Sequence, residues 1–175
     1  MLRKTNVPIV KSKETEGVEI STVTSVNSFI LREIAVLGFL SWGREPTDIE
    51  VEERMKKLEE EIIAMEPSER GIFAAKRSGA IVGFSRIVQD RNDTSQWWLL
   101  GLFVHPNHQR QGIGSTLVRA CIACAQELGA TIIRSETHLD NEASICFHES
   151  FGFKNEGRFI APDGDEKIAF SLTLG

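Results

Sequence analysis

The chain is poor in cysteine, in tyrosine and in long apolar runs. It holds three cysteines and no tyrosine among 175 residues. Such a small and odd number of thiols supplies no disulfide framework, which indicates a reducing, cytoplasmic setting. The longest uninterrupted apolar run, Ala120 to Ala125, covers six residues, whereas a membrane-spanning helix needs about 20. No apolar block follows the charged residues Met1 to Lys13, which disfavours a secretory signal.

The remaining composition is that of one globular domain. Hydrophobic residues make up 41% and charged residues 26% of the chain, close to the globular average. Residues 1–15 are polar and aperiodic, so they are predicted to form a flexible arm, and residues 16–175 one domain. The formal net charge of −5 disfavours a general nucleic-acid-binding protein. No membrane partner is expected, and a homodimer stays open.

Hydrophobic periodicity predicts an irregular order of strands and helices. Helices are expected over residues 29–40, 46–65, 113–128 and 141–150. Strands are expected over residues 16–25, 71–77, 80–88, 97–104, 131–137, 153–160 and 168–173. The order is not a regular βαβ series, so it indicates a single α/β domain of the α+β type with a mixed sheet.

The strongest functional signal is the segment Val104–Thr116. An apolar strand ends there, a polar loop follows, and Gly112 and Gly114 open an amphipathic helix. The first amides of a helix lack internal partners and carry partial positive charge. The glycines let an anion approach the backbone, while Arg110 adds a cation and Ser115 and Thr116 add hydroxyl donors. The pattern predicts a pyrophosphate site. The plainer alternative is a glycine-containing turn before a helix.

Two nucleotide-binding motifs fail to match this segment. A dinucleotide fingerprint, Gly-x-Gly-x-x-Gly, needs a third glycine where Leu117 stands, and no βαβ unit precedes it. A Walker loop needs Gly-Lys-Ser/Thr after four spacer residues, and that sequence is absent. The ligand is therefore expected to belong to another class of pyrophosphate-bearing molecule.

Two motifs together resemble a known family. Gln109-x-x-Gly112-x-Gly114 follows Val104-x-Pro106, and the segment Asn141–Phe153 contains Asn-x-x-Ser, an aromatic position and Gly-Phe. Both are similar to the acyl-CoA signature and the closing motif of the GNAT superfamily of N-acetyltransferases. The resemblance covers about residues 16–175 and is specific from 97 to 157. It implies a GNAT-like acyl-CoA N-acyltransferase fold, with the sheet splayed between its fourth and fifth strands to hold acyl-CoA.

The resemblance also implies which residues contact acetyl-CoA. Backbone amides from Gln109 to Gly114 would bind the pyrophosphate, and the strand around Leu102 to Val104 would pair with the pantetheine amides. No metal is expected. The residues expected at the co-substrate are Leu102, Phe103, Val104, Gln109, Arg110, Gln111, Gly112, Ile113, Gly114, Ser115, Thr116, Asn141, Ser144 and Phe147.

The catalytic candidates are His148 and Glu136. Helical spacing puts Asn141, Ser144 and His148 on one face, which predicts a ligand-facing stripe. The alternative makes Asn141 a helix cap and His148 a surface residue. His148 stands where the family often has a tyrosine acid, so the resemblance implies that it reprotonates the leaving thiolate. The strand 97–104 lacks the acid that many members use as a base, and Glu136 is the nearest candidate. Glu136 could equally be an ordinary exposed carboxylate on the strand, without a catalytic role.

Two weaker features have plain interpretations. Cys121 and Cys124 fall on the apolar stripe of their helix, which favours core residues over a metal or redox site. The segment Glu45–Glu61 holds eight acids and three bases. It is either a solvated helix face or an acidic rim that attracts a cationic amine.

The sequence thus predicts an N-acetyltransferase. It would transfer an acetyl group from acetyl-CoA to a primary amine of a small molecule or peptide by direct attack. The alternatives are a non-catalytic acyl-CoA-binding or sensing module and a nucleotide-binding enzyme. The acceptor is not identified at this level, because the N-terminal helices expected to build its pocket carry no motif.

Overall fold

A computed structural model describes residues 17–24 and 26–175. The arm predicted over residues 1–15 lies outside them. The four helices of the described residues are α1 (Ser28–Ser41), α2 (Asp48–Ile63), α3 (Ile113–Glu127) and α4 (Glu142–Ser150). The strands are β1 (Glu19–Thr22), β2 (Arg70–Arg77), β3 (Ala80–Gln89), β4 (Gln96–Val104), β5 (Ile132–His138), β6 (Lys154–Ile160) and β7 (Glu166–Thr173). The predicted order is confirmed.

The strands form one mixed sheet in the order β1-β2-β3-β4-β5-β7-β6. Every neighbouring pair is antiparallel except β4 and β5, which run parallel. The parallel pairing ends at Trp98 opposite Arg134, although β4 continues to Val104 and β5 to His138. The two strands therefore part beyond this pair, which confirms the predicted splay between the fourth and fifth strands.

Each face of the sheet has its own apolar core. On one face, α3 packs through Leu117 and Cys121 against β-strand residues that include Trp97 and Ile133. On the other face, α1 and α2 pack through residues such as Ile34 against Phe84. The helices thus cover both sides of the sheet, and the splay opens between two rigid layers.

A bulge in β4 changes which side chains reach each core. Leu100 pairs with Arg86 and Phe103 with Phe84, so Gly101 and Leu102 together oppose the single β3 residue between them. Gly101 has φ +63°, a left-handed conformation that favours glycine. Trp97 and Leu99 before the bulge belong to the α3 core, as does Leu102 after it. Phe103 consequently packs on the α1 and α2 side.

Candidate functional site

A cleft of about 390 Å³ lies at the splay. Its walls come from the end of α1, the last residues of β4, the loop before α3 and the start of α4. Eleven of the fourteen residues expected at the co-substrate line it. The lining residues are Ser41, Trp42, Leu102, Phe103, Val104, Gln109, Arg110, Gly112, Gly114, Ser115, Asn141, Ala143, Ser144 and Phe147.

The loop before α3 turns its backbone towards this cleft. Arg110 and Gly112 both adopt left-handed conformations, with φ +57° and +77°. The first hydrogen bond of the helix runs from the Thr116 amide to the Gly112 carbonyl at 3.0 Å. The amides between these two residues therefore precede the helical ladder and present donors at the positive end of the helix dipole. This arrangement suits a pyrophosphate group.

Three of the predicted contact residues point their side chains elsewhere. Gln111 accepts a hydrogen bond from Arg77 at 3.0 Å and donates to the Asn107 carbonyl at 3.2 Å. Thr116 is buried and its hydroxyl donates to the Gly112 carbonyl at 3.0 Å, and Ile113 is buried in the α3 core. Gln111 and Ile113 can therefore offer a ligand only their backbone amides, and Thr116 offers neither group, since its amide also donates to the Gly112 carbonyl.

The absence of a side chain at Gly114 keeps the cleft open. A Cβ atom built there would lie 3.7 Å from Phe147 and from Val104, and 3.8 Å from Leu102. These distances are ordinary van der Waals contacts, so the fold itself tolerates a methyl group. The added atom would occupy space in the cleft between β4, α3 and α4.

The first turn of α4 supplies the opposite wall. The Asn141 side chain caps the helix by accepting a hydrogen bond from the Ser144 amide at 3.1 Å. Asn141, Ser144 and Phe147 all line the cleft. Asn141 therefore both caps α4 and lines the cleft, so the cap does not remove the residue from the cleft wall.

His148 lies in the core and not among the residues that line the cleft. The residue is 6% exposed, and its ring stacks on Phe170 with a centroid distance of 4.6 Å. Nδ1 lies 2.7 Å from the Ser144 carbonyl oxygen, and Nε2 lies 2.8 Å from the Ser135 hydroxyl. The side chain therefore does not complete the expected ligand-facing stripe, because α4 directs it into the sheet.

The protonation of His148 follows from these neighbours. A carbonyl oxygen only accepts, so Nδ1 carries a proton and the neutral ring offers Nε2 as an acceptor to Ser135. Burial lowers the pKa of His148, and the hydrogen bond to the Ser144 carbonyl partly opposes that shift. The neutral ring accepts from the Ser135 hydroxyl, whereas the imidazolium donates to it.

Ser135 connects His148 with the point where β4 and β5 separate. It follows Arg134, the last β5 residue paired with β4. Its hydroxyl lies 3.4 Å from the Leu99 carbonyl across the two strands. No sequence pattern singles out Ser135, because only the register of the parallel pair identifies it as the first residue of the splay.

Glu136 lies on the other face of β5. Ser135 and Thr137 are buried, while Glu136 between them is partly exposed. Its carboxylate accepts a hydrogen bond from Lys167 at 2.9 Å, and Lys167 also lies 3.6 Å from Asp163. Glu136 and His148 therefore lie on opposite faces of the sheet.

Sequence reasoning missed two further parts of this site. Ser41 and Trp42, at the end of α1, line the cleft but belong to no recognisable motif. Gly101 produces the β4 bulge, and here a signal existed: a glycine inside an apolar strand often marks a bulge or a close approach of backbone to ligand.

The cysteines have the plainer of their two interpretations. Cys121 belongs to the α3 core and Cys124 packs against it. Burial raises the pKa of the Cys121 thiol to about 12 and that of Cys124 to about 11, so both thiols stay protonated. Five acids of α2, namely Asp48, Glu52, Glu53, Glu59 and Glu60, are exposed to solvent, which fits both a solvated helix face and an acidic rim.

Comparison with known proteins agrees with this geometry. The family model for the acetyltransferase (GNAT) family matches residues 36–153. An aminoglycoside N(6')-acetyltransferase type 1 from Acinetobacter haemolyticus is 32% identical over 63 residues. That match covers 36% of this chain and 43% of the relative, so the chain spans less than half of that relative's length.

Solved structures share the whole fold. A GNAT-family protein from Desulfovibrio desulfuricans gives a TM-score of 0.75 at 17% identity, covering 90% of this chain and 99% of that one. An aminoglycoside 6'-N-acetyltransferase in complex with coenzyme A gives a TM-score of 0.69 at 23% identity, covering 88% of this chain and 96% of that one. These identities establish likeness of fold.

The chain belongs to the GNAT family of acetyltransferases, since the family model covers more than half of it. Among residues 17–24 and 26–175, no helix combines the length and apolarity that crossing a bilayer requires.

Proposed function

We propose that the protein is an acetyl-CoA-dependent N-acetyltransferase that acts on a primary amine of a small molecule or peptide. The observation that carries the proposal is the cleft at the splay, with the open amides before α3 along one wall. The co-substrate supplies an acetyl thioester, and the amine attacks its carbonyl directly. Orientation of the two reactants supplies most of the rate enhancement in such a reaction.

Each wall of the cleft has a proposed role. Of the amides expected at the pyrophosphate, from Gln109 to Gly114, that of Gln109 donates to the Pro106 carbonyl at 3.3 Å, so the amides from Arg110 to Gly114 bind the group, and the Arg110 side chain adds a positive charge. Leu102 to Val104 extend beyond the last β4–β5 pair, so their backbone can pair with the pantetheine amides. A β4 amide near the Gly101 bulge polarises the carbonyl oxygen, as donors fixed in advance do in oxyanion sites.

For the proton that the leaving thiolate needs, we propose His148, acting through Ser135. The imidazolium donates from Nε2 to the Ser135 hydroxyl, which lies 2.8 Å away, and the hydroxyl passes its own proton to the sulfur. An unperturbed imidazole is about one-quarter protonated at pH 7. Burial lowers the pKa of His148, so the charged fraction is smaller and the relay works better at lower pH.

For the proton that the amine must lose, the proposed base is Glu136. Its partly exposed carboxylate lies on the face of β5 opposite Ser135, the side on which α1 and α2 pack. Lys167 holds that carboxylate at 2.9 Å, so Glu136 acts as a base only when this ion pair loosens. Water is the competing base, because amines with a low pKa lose a proton without help.

The experiment is release of free coenzyme A thiol from acetyl-CoA in the presence of a panel of amines. We expect thiol release that depends on at least one primary amine, with the acetylated amine found by mass spectrometry. The Gly112→Asp variant serves as the control, since it should not bind the co-substrate. Binding of acetyl-CoA by calorimetry without turnover of any amine would instead favour an acyl-CoA-binding or sensing module.

A further inference from the structure

A second, smaller cleft adjoins the first on the α1 and α2 side of the sheet. Its volume is about 180 Å³, and Trp42 and Phe103 line both clefts. Phe103 belongs to β4, one of the two strands that flank the splay. A molecule held in the smaller cleft therefore lies beside the strand that borders the proposed thioester site. The lining residues are Ala35, Gly38, Phe39, Trp42, Arg54 and Phe103.

Arg54 is the single charged residue in this lining. It lies on α2 one turn before Leu58, which is buried against the sheet, so the same helix face directs both residues inward. The other lining side chains are apolar or aromatic. The acids Glu52 and Glu53, which directly precede Arg54, are exposed. Arg54 is thus the charged residue that α2 contributes to the lining, and Glu50, one turn earlier on the same helix, is paired with Arg44 at 2.7 Å.

No carboxylate of residues 17–24 or 26–175 forms an ion pair or hydrogen bond with Arg54. Glu61, two turns further along α2, is paired with Arg86 on β3. Arg54 and Arg86 therefore both lie in the electrostatic field of Glu61, and the Glu61 carboxylate forms its ion pair with Arg86. Within the described part of the chain, the positive charge of Arg54 beside the cleft is left without a paired carboxylate.

Burial adds to the cost of this charge. The pKa of Arg54 is lowered, chiefly by burial, with attraction to Glu61 opposing the shift and repulsion from Arg86 adding to it. A partly desolvated charge without a partner is destabilising. Proteins retain such groups where a ligand supplies the partner, as they retain other costly features at functional sites.

We propose that Arg54 binds a carboxylate of the acceptor, so that the acceptor is a small amino acid with its amine directed towards the splay. This inference rests on the proposed acetyltransferase function. A planar guanidinium matches a carboxylate with two parallel hydrogen bonds. The aromatic residues Phe39, Trp42 and Phe103 then enclose the apolar part of the same molecule. A polyamine or an aminoglycoside, which carries several positive charges, is disfavoured by Arg54.

The test varies both the charge of the substrate and the charge of residue 54. Free α-amino acids and their primary amides are compared as acceptors for the wild type, Arg54→Gln and Arg54→Lys. For the wild type, kcat/KM should favour the acid over its amide by about tenfold to a hundredfold, the usual worth of a hydrogen-bonded charge pair. Arg54→Gln should lose this preference while treating the amide as the wild type does. Arg54→Lys keeps the positive charge but lacks the two parallel guanidinium donors, so its preference for the acid should fall between those of the wild type and Arg54→Gln.

Lys57→Gln is the matched control, because it removes one positive charge from the exposed face of the same helix. It should leave the preference for acids intact. The Tm of Arg54→Gln without substrate should equal or exceed that of the wild type, because an uncompensated charge is removed. A fall of more than about 4 °C would assign Arg54 a structural role and overturn the inference.

The outcomes separate the inference from the function on which it rests. Equal losses for acid and amide in Arg54→Gln overturn the role of Arg54 in recognising a carboxylate. Efficient acetylation of polyamines or aminoglycosides, with amino acids rejected, overturns the acceptor class and leaves the acetyltransferase function standing. Turnover of no amine at all, with acetyl-CoA still bound, overturns the proposed function itself.

Discussion

Replacement of Gly114 by alanine should make the protein more stable and a poorer binder of coenzyme A. Gly114 is the second residue of α3 and has no left-handed φ. The new Cβ would meet Phe147, Val104 and Leu102 at 3.7–3.8 Å, without a clash. Alanine at a compatible position restricts the unfolded chain and stabilises by about 0.4–1 kcal/mol. For a chain of this size, that corresponds to a Tm increase of about 1–4 °C.

The same methyl group should weaken binding by about tenfold to a hundredfold. A phosphate that accepts from the α3 amides must lie within about 3 Å of the backbone. The methyl group stands beside those amides and faces the β4 and α4 walls, so the ligand has to move away from the helix. Losing one hydrogen bond to a charged group costs about 1.5–3 kcal/mol, which corresponds to this change in Kd.

Thermal unfolding and calorimetric titration with coenzyme A measure the two effects on the same samples. Gln126→Ala, at the exposed far end of α3, is the control and should change neither Kd nor, beyond a small propensity gain, Tm. If Gly114→Ala binds coenzyme A with the Kd of the wild type, the ligand does not pass this residue and the prediction is refuted. A lower Tm would refute the claim that the cleft has room for the methyl group.

Three further predictions concern the co-substrate site and the proton transfers. Gly112→Asp should nearly abolish binding of acetyl-CoA in calorimetry, because it adds a carboxylate beside the pyrophosphate at a residue with φ +77°; a folded variant with normal affinity would exclude the amide site. His148→Ala should lower kcat by about 10²–10⁴-fold, and His148→Tyr should restore part of the activity and move the alkaline limb of the pH–rate profile upward; an unchanged kcat of His148→Ala across pH 6–9 would leave reprotonation to water. Because the pKa of His148 is lowered in the folded protein, the unfolded imidazole takes up a proton first, so the stability of the wild type should fall as the pH drops through 6.5. Glu136→Gln should reduce kcat/KM far more than Lys167→Met, which breaks the same ion pair but spares the base, and equal effects would remove Glu136 from the mechanism.

Much of the fold could be predicted from the sequence because the local residue patterns match the helices and strands that form. The periods of the apolar residues identified every helix and strand of the described residues in order, and the glycines after Val104 identified the start of α3. Boundaries also came close, as for α3, predicted over residues 113–128 and observed as Ile113–Glu127. These signals are short-range, since a helix face or strand alternation repeats within a few residues.

The candidate site was only partly accessible for the same reason. The glycine-containing loop and the start of α4 are contiguous motifs, and the structure brings both to one cleft. The orientation of His148 was missed, since spacing along α4 gives the relative positions of side chains but not the rotation of the helix against the sheet. Only packing on Phe170 and the bond to Ser135 decide that rotation.

The order of elements, the family resemblance and the place of the amides proposed to bind an anion could thus be read from the sequence. Each depends on residues close together in the chain, whose types set local conformation and local charge. Only the tertiary structure showed at which residue the two strands part, that Ser135 stands at that point, and that Arg54 lines a cleft in which residues 17–24 and 26–175 supply no carboxylate partner for it. These features join residues far apart in the chain, and their meeting depends on strand register and helix packing, which no local pattern encodes.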